Sequence, residues 1–245
     1  MIDIHEKAQQ VYEQGFCVLE AVYDVGEIRE ASTLLDGYWE QQGRPPMSDF
    51  GIGIHPLAAK VPEIMPYFGR QIVIDVMEAV VRDKVHLVHT GARLSNVDSA
   101  AAIGWHNHYS WDKNRLPRRD TIERILAGVY LEGSHPAIGP LVVLPRRYND
   151  PLSEPAGEYT EDWPGQLEVA APPGSVVVFD TALWHTAKRG ASPRVRHLFG
   201  AHYQGWSNPA AHPEDNPCDG AQIEPYKRTN AVLRSLLESP VRSAA

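Results

Sequence analysis

The chain has 245 residues, 43% hydrophobic and 22% charged, enough for a sizeable buried core and unlike a disordered or fibrous chain. Its formal net charge of −8 argues against a nucleic-acid or anionic-membrane partner. No apolar run reaches the ~18 residues of a membrane span, the opening MIDIHEKAQQ lacks the regions of a signal peptide, and the widely separated Cys17 and Cys218 suit neither a disulfide framework nor a zinc site, so a cytoplasmic protein is expected.

In chain order, IHEKAQQVYEQG reads as a short helix stopped at Gly15. VGEIREASTLLDGYWEQQG carries Val25, Ile28, Ala31, Leu34, Leu35 and Tyr38 at helical spacing and ends at Gly43 and two prolines. RQIVIDVMEAVVRD predicts a third, well-buried helix. From Lys84 onward the pattern changes to short apolar or alternating runs: VHLVHTGARLSN, AAIGWHNHYSW, RILAGVYLEG, PLVVLP, QLEVA, SVVVFD and RHLFGAHYQ. Seven or eight strands with no helix between most of them predict an antiparallel jelly roll or barrel, not a parallel α/β sheet. A proline-rich loop, WSNPAAHPEDNPCDGAQIEP, precedes a fourth helix in NAVLRSLLES; such loops serve as lids or as plain surface. The expected organisation is a single domain over residues 1–245, with N-terminal helices to about 83, a β core over about 84–206, and a C-terminal loop and helix over about 207–245.

The 11 histidines offer the first chemistry. Residues i and i+2 of a strand share a face, so His106 and His108 can converge on one point. Two imidazoles at that spacing can chelate a divalent ion, and His185, just after the apolar run SVVVFDTALW, is the obvious third ligand of a facial set with open positions. The spacing also suits imidazoles that merely pack or bond to backbone. His86 and His89, three apart, are expected on opposite strand faces as packing or surface residues. His5, His55, His135 and His212 have no partner by spacing.

Several stretches carry a family resemblance, in order. VYEQGFCVLEAVYDVGEI, GWHNHYSW, AGVYLEGSHPAIGPLVVLPRRY, PPGSVVVFDTALWHTA and RVRHLFGAHY together resemble the phytanoyl-CoA dioxygenase family of Fe(II)/2-oxoglutarate oxygenases. The resemblance spans nearly the whole chain, and GSVVVFDTALWH is its most specific element. It implies a mainly β fold with flanking helices around a double-stranded β-helix (jelly-roll, cupin-like) core. It implies a mononuclear non-haem iron dioxygenase that takes O2, 2-oxoglutarate and a small-molecule substrate. Carried over, His106 and His185 become Fe(II) ligands, and Arg196 the arginine that holds the far carboxylate of 2-oxoglutarate, with Arg194 as a second candidate. A guanidinium suits a carboxylate because it is a planar, two-pronged donor.

The chain departs from that family at His108, where the family has Asp or Glu. Three outcomes follow: a three-His iron that still uses 2-oxoglutarate, a three-His dioxygenase independent of it, or a non-catalytic binding protein on the same scaffold. HNHYSWD also resembles the first cupin motif, with Asp112 as its acid, but the second cupin motif is absent. Asp180 is expected to hydrogen-bond a ligand histidine. The family often has a hydroxyl two residues after the distal histidine; here that position is Ala187, and Thr186 is the nearest substitute. For the substrate, the candidates are Arg93, Trp111 on the histidine face, and Trp184 before the distal histidine. Trp105, Asn107 and Tyr109 are expected on the opposite face. No basic groove for coenzyme A is evident.

Overall fold

Helix α1 (Ile4–Gln14) starts at Asp3, whose carboxylate accepts from the backbone N–H groups of His5 and Glu6, and it ends at Gly15 in the left-handed conformation. A Cβ at Gly15 would also fall 2.6 Å from Leu183 Cδ1, so both the turn and the packing require glycine there. The structure, a computed structural model, describes residues 2–99, 103–108, 121–151, 158, 160–208, 215–216 and 220–238. Strand β1 (Phe16–Leu19) leads to α2 (Val25–Gln41), which opens on a reciprocal capping box of Asp24 and Glu27. Next come β2 (Ile52–Ile54), α3 (Leu57–Lys60), a 3-10 turn at Pro62–Ile64, α4 (Met65–Phe68) and α5 (Gln71–Val81).

The core strands are β3 (Val85–Ser95), β4 (Ile103–His106), β5 (Arg124–Tyr130), β6 (Leu141–Val143), β7 (Leu167–Val169), β8 (Ser175–Asp180), β9 (His185–Ala187) and β10 (Arg196–Gly205), followed by α6 (Glu224–Thr229) and α7 (Ala231–Leu237). They form a six-stranded sheet, β1-β8-β5-β10-β3-β2, and a four-stranded sheet, β4-β9-β6-β7. Every strand pair is antiparallel. From β3 to β10 the chain shuttles between the two sheets, so the fold is the expected double-stranded β-helix with flanking helices.

Period two divides the large sheet into a helix face and a cavity face. On β10, Phe199, Ala201 and Tyr203 join the main core with Val11 of α1, Leu35 of α2 and Met77 of α5. The alternate residues Arg196, Leu198, Gly200 and His202 line a cavity between the sheets. A second apolar cluster, including Tyr130, Leu141, Phe179 and Leu183, closes the sandwich.

Three features differ from expectation. β2, from the segment expected to be helical, joins β1 in the large sheet. His185, read only as following an apolar run, starts a three-residue strand of its own. Between the pairs His202–His89 and Tyr203–Leu87 the register shifts, leaving Val88 as a bulge. The bulge returns His89 to the face that carries His86, so the two are not on opposite sides. Among the described residues, no helix is long and apolar enough to cross a membrane.

Candidate metal centre

His106 and His185 are direct partners across the antiparallel β4–β9 pair, with ring centroids 4.2 Å apart. His108 lies just beyond β4. Its backbone N–H donates to the Thr181 carbonyl at 2.9 Å, and its ring sits 5.4 Å from that of His106 and 5.1 Å from that of His185. Each imidazole offers one ligand atom, and the three atoms lie within 4.8 Å of one another. His106 Nδ1 is 2.8 Å from the Gly104 carbonyl and His185 Nδ1 is 2.9 Å from the Leu183 carbonyl. A carbonyl only accepts, so these nitrogens carry the proton and Nε2 becomes the coordinating atom. Burial, reinforced by His106 and His108, holds the His185 pKa well below its ordinary value. It is therefore neutral, the form that binds a metal.

The turn that delivers His185 is held by Asp180. Its carboxylate accepts from the Ala182 backbone N–H at 2.9 Å and from Arg146 Nη1 at 3.3 Å, and burial pushes its pKa up to about 6. The expected bond from Asp180 to a ligand histidine is thus corrected: the carboxylate is turned to the backbone of its own turn.

The three imidazoles face a cavity of about 220 Å³, and among the described residues no aspartate or glutamate lines it. Its floor is a row of glycines on three adjacent strands: Gly91 of β3 is paired with Gly200 of β10, which is paired with Gly128 of β5. A Cβ at Gly200 would sit 2.8 Å from the Ala127 carbonyl oxygen, and one at Gly91 would sit 2.3 Å from His55 Cε1. The row therefore bares the sheet backbone to the cavity and makes room for His55.

Two guanidiniums stand at the edge of this floor. Arg196 is 3% exposed, lies 5.4 Å from the Tyr130 ring centroid, and has its Nε and Nη2 buried without a hydrogen-bond partner. Arg93 is half-buried, with Nε and Nη1 likewise buried and unbonded. Burial first, and the charge of Arg196 second, push the Arg93 pKa down to about 10. Burial also lowers that of Arg196. An orphan buried cation is unfavourable, so this pair is built to receive an anion.

Three further histidines reach the cavity: His55, left without a partner by spacing, His89, expected as a packing or surface residue, and His202. The His202 ring is 4.6 Å from His108 and 4.8 Å from His89. Arg124, itself buried, donates through Nη2 to His202 Nδ1 at 3.0 Å and through Nη1 to Asp215 at 2.7 Å. Asn216 accepts from the Thr90 backbone N–H at 2.8 Å, which turns its amide nitrogen toward His89 Nδ1, also at 2.8 Å. Two successive residues of the long loop thus brace both imidazoles from behind.

The other candidates fall as follows. Arg194 is exposed and outside the cavity, so its expected role as a carboxylate clamp is corrected. Thr186 lines the cavity, but its hydroxyl donates to the Ile103 carbonyl and ties β9 to β4, which corrects the expectation that it assists a co-substrate. Trp184 packs edge-on against Trp163 at 5.6 Å, and Trp163 stacks on Trp105 at 4.5 Å. This aromatic cluster lies outside the cavity lining, so Trp184 is corrected as a substrate contact. Trp111, Tyr109 and Asp112 lie outside the described residues.

No protein-family model and no curated protein sequence matches the chain. Solved structures do share its fold. SnoK, a non-heme alpha ketoglutarate dependent carbocyclase from nogalamycin biosynthesis, aligns with a TM-score of 0.68 at 16% identity, covering 92% of this chain and 90% of its own. HygX from Streptomyces hygroscopicus, with nickel and 2-oxoglutarate bound, aligns at 0.67 and 18%, covering 82% and 86%. EctD from S. alaskensis, with 2-oxoglutarate and 5-hydroxyectoine, aligns at 0.66 and 18%, covering 85% and 78%. At these identities the likeness is one of fold.

Proposed function

We propose that the protein is a mononuclear non-haem Fe(II) oxygenase of the phytanoyl-CoA dioxygenase type, using 2-oxoglutarate and O2 to oxidise a small organic molecule. The observation that carries this reading is the placement of three convergent imidazoles across a glycine floor from a buried guanidinium with unbonded N–H groups. The residues present fit the absent groups. His106, His108 and His185 would hold the metal, and Arg196 would take the far carboxylate of 2-oxoglutarate through a two-pronged contact. When bound, iron and 2-oxoglutarate supply the oxygen-activating chemistry.

The chain's own contribution is positional. The Gly104 and Leu183 carbonyls fix the ring orientation of His106 and His185. Asp180 holds the turn before His185, and the apolar walls formed by Leu126, Leu141, Phe179 and Leu198 exclude water. His108 favours a second reading, a three-His dioxygenase independent of 2-oxoglutarate, because an imidazole stands where the resembled family has a carboxylate.

Anaerobic titration of the metal-free protein with Fe(II) and then 2-oxoglutarate tests both. A visible charge-transfer band on adding 2-oxoglutarate, abolished by Arg196→Ala, is the expected result. Iron bound without a band supports the second reading. No iron bound refutes both and leaves a binding protein.

A further inference from the structure

Resting on that reading, we propose that Arg93 is a second carboxylate anchor, separate from Arg196, and that the organic substrate is itself a carboxylic acid. Arg93 is opposite Leu198 in the β3–β10 register, whereas Arg196 is opposite Ser95. The cavity-facing residues of β10 run from Arg196 through Leu198 and Gly200 to His202, whose ring is 4.6 Å from His108. Arg93 therefore stands one pleat nearer the imidazoles than Arg196. It also stands on the other side of β10: Arg196 lies against Tyr130 of β5, while Arg93 belongs to β3. A co-substrate stretched along the floor from the imidazoles to Arg196 passes beside Arg93.

The charge in the cavity points the same way. A divalent metal on three neutral imidazoles, together with two guanidiniums, brings four positive charges, and among the described residues no acidic side chain lines the cavity. A dianionic co-substrate cancels half of them. Histidine at position 108 removes the one anion that the resembled family provides, and Arg93 adds a cation. Its Nε and Nη1 have no hydrogen-bond partner among the described residues, and a carboxylate on the substrate would satisfy both. The apolar walls then suit the hydrocarbon body of such an acid.

The test uses Ni(II)-loaded protein, which is inert toward oxygen chemistry, with and without saturating 2-oxoglutarate. Calorimetry measures the binding of straight-chain monocarboxylates from acetate to octanoate, of benzoate and of phenylacetate, each beside its primary amide. In the wild type, at least one acid should bind about tenfold or more tightly than its amide, as a charge-assisted pair implies. Arg93→Gln should erase that preference while weakening 2-oxoglutarate far less than Arg196→Gln does. Arg93→Lys should keep part of the preference, having the charge without the fork. Arg196→Gln should lose 2-oxoglutarate instead.

Equal loss of 2-oxoglutarate in the Arg93→Gln and Arg196→Gln proteins would mean that both guanidiniums grip one co-substrate carboxylate, and would overturn the proposal. So would acids that bind no better than their amides, no acid binding at all, or a preference that survives Arg93→Gln. Failure of 2-oxoglutarate to bind the wild type would instead sink the 2-oxoglutarate-dependent reading, and the acid-against-amide comparison without co-substrate would still decide the role of Arg93.

Discussion

Replacing Arg93 by glutamine should stabilise the metal-free, ligand-free protein. Burial and the neighbouring Arg196 push the Arg93 pKa from 12.5 down to about 10; at 1.36 kcal/mol per unit, the folded state disfavours the charged form by about 3 kcal/mol. Glutamine still buries an amide, and the partly exposed guanidinium is screened by water, so the net gain should be about 1–2 kcal/mol. For a chain of this size that is a rise of roughly 3–6 °C in Tm. The penalty falls on a protonated base with a depressed pKa. It is therefore complete below pH 10 and fades as pH rises from there toward 12.5. Urea and thermal unfolding at pH 7 measure the effect directly. Destabilisation by more than about 1 kcal/mol would refute the reasoning, because it would mean that the guanidinium has a favourable native partner.

Other consequences can be measured separately. His108→Asp should retain iron and raise 2-oxoglutarate turnover, followed as succinate release; loss of turnover would mark the third imidazole as a chemical requirement. Asp180→Ala should cost about 1–3 kcal/mol in urea unfolding, because it removes the carboxylate paired with partly buried Arg146 and frees the turn before His185, and metal affinity should fall with it. Gly200→Ala should destabilise by about 1–3 kcal/mol, because its methyl group meets backbone that cannot step aside, and should weaken 2-oxoglutarate binding in the same titration. Burial disfavours charge on His197, but Glu132 at 2.7 Å and Asp36 at 3.0 Å outweigh it and raise its pKa. Its stabilisation should be complete below pH 6.5 and disappear as pH rises through the raised folded value, so His197→Gln should flatten that part of the pH–stability profile.

The longer helices were legible because their signals are local: helical spacing of apolar residues, with stops at Gly15 and after Gln41, marks α1 and α2, whereas the short α3, α4 and α6 carry too few residues to show a period. The jelly-roll class was legible from short runs punctuated by turn residues. Period two was also enough to set His106 and His108 on a common face. Strand β9 was not legible, since three residues carry no periodicity, and its pairing with β4 is what brings His185 to His106. A single extra residue, Val88, defeats the alternation argument for His86 and His89. The neighbouring placement of Arg93 and Arg196 is a property of register between strands about a hundred residues apart in sequence. His55 enters the cavity only because Gly91, on another strand, has no side chain. Even the bracing of His89 and His202 by Asp215 and Asn216 depends on where a long loop returns.

The glycine floor also limits how such a cavity can diversify. A base lined by large side chains can be deepened by trimming them, one substitution at a time. Gly91, Gly200 and Gly128 leave nothing to trim, so mutation there can only fill the space or break the sheet. Any change in what the cavity accepts must come from its walls and mouth, while its depth, and the span from the imidazoles to Arg196, stay set by the spacing of β-strands.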